Sequence, residues 1–440
     1  MDIRIFPPDD IFSARVALPR SKSISNRALI INALTSGAME IRNIAQCDDT
    51  DVLLAALDTL GKANAGSHHT IDIGAAGTAM RFLTAYCATL RGVEVTLTGS
   101  DRMLRRPIAP LVEALRQCGA EISYVGEEGF PPLRIKGTSL KGGKISMPGN
   151  ISSQYVSAMM MVAPMMEGGL TINIEGSLIS KPYVEMTMRL MKKFGVEAIY
   201  EPKAEGATIT VSNSSYIPAS IDVEGDWSAA SYWYEIEALT SGWLTLDNLV
   251  KDSVQGDRAV ADIFSSLGVD TQWEGEEGGI DLVATPESSP RLVRDMTDTP
   301  DLVQAVAVAC GMLGIPFSLS GLGSLRIKET DRIEALRKEL AKVGVAVEVD
   351  TFVAPMATEA DTVMSWDGRR HPIIELPEFD TYDDHRMAMA FAPCSIYIPG
   401  IVVRNCEVVS KSYPDFWDHL SEAGFTIVDA AEPIQPQGDA

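Results

Sequence analysis

Basic side chains are the scarce resource of this 440-residue chain: 37 Lys and Arg stand against 60 Asp and Glu, for a formal net charge of −23. Nucleic-acid affinity comes from a clustered cationic surface, so the acidic balance argues against a nucleic-acid partner, and none is expected. The same bulk charge repels small anions, which makes every local cluster of cations informative. Long apolar runs are missing as well. No stretch approaches the roughly 20 uninterrupted apolar residues of a membrane span, and the start MDIRIFPPDD has neither the basic nor the apolar region of a secretion signal. No membrane partner and a cytoplasmic location are expected. The six cysteines (Cys47, Cys87, Cys118, Cys310, Cys394 and Cys406) form no CxxC pair and sit in apolar surroundings, which reads as reduced core thiols, a nucleophile being the alternative. With five histidines, of which His68 and His69 are adjacent in an expected loop, and no carboxylate cluster at metal-ligand spacing, neither a metal nor a cofactor is expected. No GxxxxGK[ST] run exists, which disfavours a P-loop kinase.

What the chain does have is a 46% hydrophobic composition, enough for two to three domains with real cores, and an internal repeat. A helix-ending phrase recurs as LLAALDTLG, LVEALRQCG, MRLMKKFG, VADIFSSLG, LRKELAKVG and FWDHLSEAG, closing at Gly61, Gly119, Gly195, Gly268, Gly344 and Gly424. Apolar residues at i, i+3, i+4 and i+7 predict six amphipathic helices, and the terminal Gly suits a left-handed closing residue. A more apolar, buried helix is predicted before each: ISNRALIINAL, GTAMRFLTAYCATL, SSQYVSAMMMVAPM, GDWSAASYWYEIEAL, TPDLVQAVAVACGM and DDHRMAMAFAPCSI. Alternating β-branched runs such as EVTLTG, LTINIEG, ATITVSN, WLTLDNL and IVVRNCEVV read as strands. The prediction is an α/β protein of six β-α-β-α-β-β modules, three per domain, with the crossover at VEGDWS near residue 225.

The starts of the buried helices carry SKS, GAAGT, NISSQ, EGDWS, DTPD and YDDHR. Plain capping accounts for small hydroxyl and carboxylate residues there. It does not call for Lys22, Arg27, Gln154, His385 or Arg386. A helix N-terminus is half-positive already, and added Lys, Arg and Ser donors make a phosphate or carboxylate cradle. Further cations come from DRMLRRPI (Arg102, Arg105, Arg106, with Pro107 favouring the next helix's first turn), SLRIKETDR (Arg326, Lys328, Arg332) and SKSYPD (Lys411). Singly, each reads as a solvent-facing charge; together they are a set that packed modules could bring to one cleft.

In order along nearly the whole chain, LPRSKSISNRAL, AGTAMRFL, RRPI with the downstream PPL, ISSQYVSAMM, SKPYVEMTM, VEGDWSAASY, QGD, the aspartate of TPDLVQA, RIKETDRI, YDDHRMAMA and KSYPDF closely resemble the 3-phosphoshikimate 1-carboxyvinyltransferase (EPSP synthase) family of the shikimate pathway of aromatic amino acid biosynthesis. The resemblance implies a two-domain inside-out α/β barrel pair joined by a two-strand hinge, with helix N-termini aimed into the cleft. The N-terminal lobe, 19–225, would be the shikimate 3-phosphate side; residues 1–18 with 226–440 would carry much of the phosphoenolpyruvate clamp and the acid/base carboxylates. A monomer acting on two small molecules is implied.

Carried over, Ser23, Arg27, Ser152, Ser153, Ser180, Tyr183 and Lys328 resemble the holders of shikimate 3-phosphate, with Lys22, Gln154, Asp301 and Ser324 beside them. Lys22, Arg106, Gln154, Arg332, Arg386 and Lys411 resemble the phosphoenolpyruvate clamp, with Gly77 giving the backbone room. Asp301 and Glu329 match the acid/base carboxylates, and Lys22 is a third proton carrier. The implied reaction moves an enolpyruvyl group to the 5-hydroxyl of shikimate 3-phosphate by addition and then elimination of phosphate through a tetrahedral intermediate, and needs proton transfers at oxygen and at the methylene carbon. At Glu329 flanking cations lower the pKa and desolvation raises it. Arg and Lys do the neutralising a metal would otherwise do, so closure should follow the anions. Gly77 followed by Thr78 leaves room for glyphosate, and sensitivity is expected.

Three positions depart from the family pattern: Arg20 for Gly before SKS, Ala75 for Asn before AGT, and Ser324 for Asn ahead of KETDR. Ala75 and Ser324 remove amide side chains, which lowers the expected affinity and turnover, while Arg20 adds a cation. The alternatives are the sister enolpyruvyl transfer to UDP-N-acetylglucosamine, whose reactive Cys has no counterpart in GSDRMLRRPI, and a non-catalytic ligand-binding relic of the fold.

Overall fold

The structure is a computed structural model, and it describes residues 1–9, 12–35, 40–150, 152–275, 279–353 and 360–432. Six helix pairs follow one another: α1 (Lys22–Leu34) and α2 (Asp48–Gly61), α3 (Gly77–Thr89) and α4 (Ala109–Gln117), α5 (Ser153–Val162) and α6 (Lys181–Lys193), α7 (Trp227–Thr240) and α8 (Val260–Ser265), α9 (Val303–Leu313) and α10 (Arg332–Lys342), α11 (His385–Phe391) and α12 (Phe416–Glu422). The first of each pair is the buried one. In α9, VQAVAVACGML is apolar on every side, and Val303 to Met312 are all buried. The second is amphipathic: α6 buries Val184, Met186, Leu190 and Met191 and turns Lys192 and Lys193 outward.

The helix pairs are threaded through sheets of one topology. His68–Asp72 runs parallel to Glu94–Thr98, which pairs antiparallel with Leu133–Lys136, which pairs with Glu121–Tyr124. The pattern of strand, buried helix, strand, surface helix, hairpin recurs with the parallel pairs Gly143–Pro148 and Leu170–Glu175, and Leu292–Asp295 and Phe317–Ser320. In two other sheets the N-terminal strands Ser13–Ala17 and Ile3–Phe6 supply a member. The first module differs from the expected repeat. Among the described residues it keeps only the parallel pair Ile41–Arg42 with Ile221–Asp222, because α2 leads directly to the strand at His68 with no hairpin between.

Five of the six predicted closing glycines are left-handed: Gly119, Gly195, Gly268, Gly344 and Gly424 have φ between +79° and +97°. At four of them the next N–H reaches five residues back, from Ala120 to Leu115, Val196 to Met191, Val345 to Leu340 and Phe425 to Leu420, which is the Schellman closure. Gly61 is an exception: it lies inside α2, which runs out at Lys62 without a left-handed residue. Other expectations also need correction. The proline in the first turn of α4 is Pro110, not Pro107, whose carbonyl instead accepts the Tyr155 hydroxyl. His68 and His69 open a strand rather than lying in a loop, and NCEVV winds into a 3-10 segment, Cys406–Lys411, after the short strand Ile401–Val403.

The chain divides into two compact units, one of residues 20–224 with 252–256, the other of 1–19, 225–251 and 257–440. The first holds α1 to α6 and the second α7 to α12, and each buries its own hydrophobic core. All six cysteines are buried and unbridged, and burial pushes every thiol up, Cys118 and Cys406 to about 11. No helix among the described residues is long and apolar enough to cross a membrane.

Candidate active site

In the unit of α1 to α6, polar groups gather at the starts of the buried helices. Ser21 precedes α1 in an extended conformation but does not cap it; its hydroxyl donates to Gln255 Oε1 at 3.0 Å. Lys22, the first residue of α1, lies 3.1 Å from Asp49 of α2. One turn on, Arg27 is 2% exposed. Its guanidinium donates to Thr187 Oγ1 at 2.7 Å, to the Ser23 carbonyl at 2.9 Å, and to Ser157 Oγ and the Tyr183 carbonyl at 3.4 Å each. Every acceptor is neutral, so the charge is solvated by dipoles without an anion, and burial pushes Arg27 down to about 10, which still leaves it protonated at neutral pH.

Gly77 opens α3 beneath the buried Arg106, and a Cβ there would stand 2.7 Å from Nη1. Only a glycine leaves that guanidinium where it is. Next along, Thr78 Oγ1 accepts from Gln154 Nε2 at 3.1 Å, tying α3 to α5. Ser152 caps α5 by accepting from the Gln154 N–H, and Ser153 is buried behind it; Ile151 of the same run lies outside the described residues. Ser180, buried before α6, holds φ at +52°, a left-handed conformation costing about 1 kcal/mol for a residue with a Cβ, and its carbonyl accepts from the Tyr183 N–H. Arg20 donates to the Val223 carbonyl at 3.1 Å, so its added charge is tethered to backbone.

The unit of α7 to α12 concentrates charge around one guanidinium. Arg332, the first residue of α10, donates to Asp384 at 2.7 and 3.3 Å, to Asp301 at 2.9 Å and to Glu329 at 2.9 Å. Burial opposes its charge, but Asp384, Glu329 and Asp301 more than offset that and hold its pKa above the ordinary value. Arg386 lies 3.3 Å from Asp301, Lys328 3.8 Å from Asp301, and Lys411 3.4 Å from Glu329. Four cations thus interleave with three carboxylates in a largely buried cluster. Asp384 also caps α11 by accepting from the Arg386 N–H at 3.0 Å. Ser324 lies half-buried in the 3-10 segment Gly323–Ile327.

A sequence profile described as EPSP synthase (3-phosphoshikimate 1-carboxyvinyltransferase) matches residues 8–420. The chain belongs to the EPSP synthase family. It is 46% identical over 415 residues to the 3-phosphoshikimate 1-carboxyvinyltransferase of Bacteroides fragilis, covering 94% of this chain and 96% of that protein. To the enzyme of the same name from Shewanella halifaxensis it is 36% identical over 430 residues, covering 93% and 96%. An EPSP synthase structure from Acinetobacter baumannii superposes with a TM-score of 0.72 over 97% of this chain and all of that one, at 21% identity, which speaks for the fold.

In this member of the EPSP synthase family, side chains outside the predicted set hold the predicted ones in place. Asp384 was legible only as the second aspartate of YDDHR, where it reads as a cap; its hold on Arg332 spans 52 residues of chain. Thr187 and Ser157, which carry Arg27, gave no signal, being ordinary hydroxyls inside helices. Asp257, from the QGD phrase, is buried with Ser228 donating to it; burial first, and then Asp301, push it up to about 7.

Proposed function

We propose that this protein transfers the enolpyruvyl group of phosphoenolpyruvate to the 5-hydroxyl of shikimate 3-phosphate, releasing phosphate, as a cytoplasmic monomer that needs only these two small molecules. The observation that carries the reading is Arg332 held at 2.9 Å from both Asp301 and Glu329. One buried cation fixes two carboxylates and keeps its own charge, the arrangement an anionic substrate with two proton transfers requires.

Asp301 takes the proton of the 5-hydroxyl as that oxygen attacks C2 of phosphoenolpyruvate, and Glu329 gives a proton to C3, which becomes a methyl group. Removal of a proton from that methyl by Glu329 then expels phosphate from C2, re-forms the double bond and restores the carboxyl group. Lys22 serves as a further proton carrier, and the proton that Asp301 took from the hydroxyl leaves with the departing phosphate, which returns Asp301 to its carboxylate. Arg106, Arg332, Arg386, Lys411 and Gln154, with Gly77, receive phosphoenolpyruvate. Ser23, Arg27, Ser152, Ser153, Ser180, Tyr183 and Lys328, with Lys22, Gln154, Asp301 and Ser324, receive shikimate 3-phosphate.

Phosphate release with both substrates, on the native protein and on Glu329→Gln and Lys22→Ala, tests this. Turnover in the native protein and a loss of about 100-fold or more in each variant are expected. Binding of both substrates without phosphate release would instead mark a non-catalytic relic.

A further inference from the structure

Tyr382 and Asp383 are consecutive residues with side chains, and both are left-handed, with φ of +53° and +55°. Such a pair holds its shape only where surroundings impose it. It lies between the strand Glu378–Phe379 and α11, and it turns the chain so that Asp384 reaches Arg332 and caps α11 under Arg386. The constraint comes from Glu339. This glutamate is fully buried, accepts the Tyr382 hydroxyl on Oε1 at 2.6 Å and the Asp380 N–H on Oε2 at 3.1 Å, and is neutralised by Lys342 at 2.6 Å. Lys342 also reaches the Glu378 carbonyl at 2.7 Å and Asp380 at 3.4 Å, and Asn405 donates to Asp383 at 2.8 Å.

Glu339 stands seven residues after Arg332 in α10, two turns on and on the same helix face. One helix therefore grips the 380–384 segment at both ends, with a guanidinium on Asp384 and a carboxylate on Tyr382 and Asp380. We propose that Glu339 and Tyr382 are positioning residues that hold the strained turn and thereby set Arg332 and Arg386 for phosphoenolpyruvate, an inference that rests on the site reading above.

Steady-state kinetics and thermal melting of the full chain test it. Tyr382→Phe removes one hydroxyl and keeps the ring. It should raise KM for phosphoenolpyruvate about tenfold, the worth of one hydrogen bond to a charged group, while KM for shikimate 3-phosphate stays within about twofold and the melting temperature stays close to that of the native protein. Glu339→Gln, whose amide can still bridge the tyrosine and the Asp380 N–H, should show a smaller shift in the same direction. Equal rises in both KM values, or unchanged kinetics, in a Tyr382→Phe protein that melts normally would overturn the proposal. So would a Tyr382→Phe protein that loses stability and activity together while Glu339→Gln behaves as native. Arg386→Ala separates the two readings: if it leaves KM for phosphoenolpyruvate unchanged, the site assignment fails, whereas a rise there without one in Tyr382→Phe defeats only the positioning role.

Discussion

Arg332 and Asp384 meet through contacts of 2.7 and 3.3 Å where both are almost entirely shut away from water, the carboxylate being 0% and the guanidinium 2% exposed. Removing one partner of a buried pair leaves the other charge uncompensated, at about 3–5 kcal/mol. Here Asp301 and Glu329 remain to Arg332, so the lower end applies. Asp384→Ala should lower the urea-derived stability by about 3 kcal/mol. It also removes the cap of α11, worth about 1 kcal/mol more. Asp384→Asn keeps the cap and should recover roughly that portion, which denaturation of the three proteins will show.

The contrast between Asp384 and Arg27 indicates what the amino-acid order makes legible. Helix pairs, buried against surface helices and most closing glycines are local patterns, and each is visible within about a dozen residues. The cations at helix starts are visible too, because Lys22, Arg27 and Arg386 break the capping pattern. What holds those cations is long-range. Nothing near Thr187 signals that its hydroxyl will meet Arg27, 160 residues away, and nothing in RIKETDRI signals that one arginine will gather three carboxylates. The missing hairpin of the first module is of the same kind, since the partner of Ile41–Arg42 comes from residues 221–222.

Arg27 offers four donor contacts to neutral acceptors, in a fork that lysine cannot reproduce. Arg27→Lys should therefore raise KM for shikimate 3-phosphate by about tenfold or more, with KM for phosphoenolpyruvate little changed. Initial-rate measurements varying each substrate in turn check this; a shift confined to phosphoenolpyruvate would place Arg27 on the wrong ligand.

A methyl group at position 77 would stand 2.7 Å from Arg106 Nη1 and 3.2 Å from Cζ, so the buried guanidinium must move. Gly77→Ala should raise KM for phosphoenolpyruvate while leaving that for shikimate 3-phosphate in place. Glyphosate should inhibit the native protein competitively with phosphoenolpyruvate at concentrations comparable to that substrate, and Gly77→Ala far more weakly. Inhibition only at concentrations well above those of substrate would refute the expected sensitivity.

Glu235 and Glu237 of α7 lie fully buried in a hydrophobic core, Glu235 beside Cys310 and Cys394 with neither carboxyl oxygen hydrogen-bonded. Burial raises Glu235 well above its ordinary 4.5 and pushes Glu237 up to about 7, the Ala284 backbone acting the other way at Glu237. A raised folded pKa means that the native state holds its proton after the unfolded chain has lost it. Below about pH 4.5 both states are protonated and neither residue carries a penalty. Above that, each costs stability at a slope of ~1.4 kcal/mol per pH unit until its folded value is reached. For Glu237 the loss therefore runs from about pH 4.5 to about 7 and then levels, whereas for Glu235 it continues higher. Glutamine cannot ionise, so Glu235→Gln and Glu237→Gln should match or fall below the native protein near pH 4.5 and gain on it as pH rises, the gain levelling near pH 7 for Glu237→Gln and continuing higher for Glu235→Gln. Urea denaturation at pH 4.5, 6, 7 and 8 measures the difference, and a gap that stays constant across that range would show that neither carboxyl is held protonated by the fold.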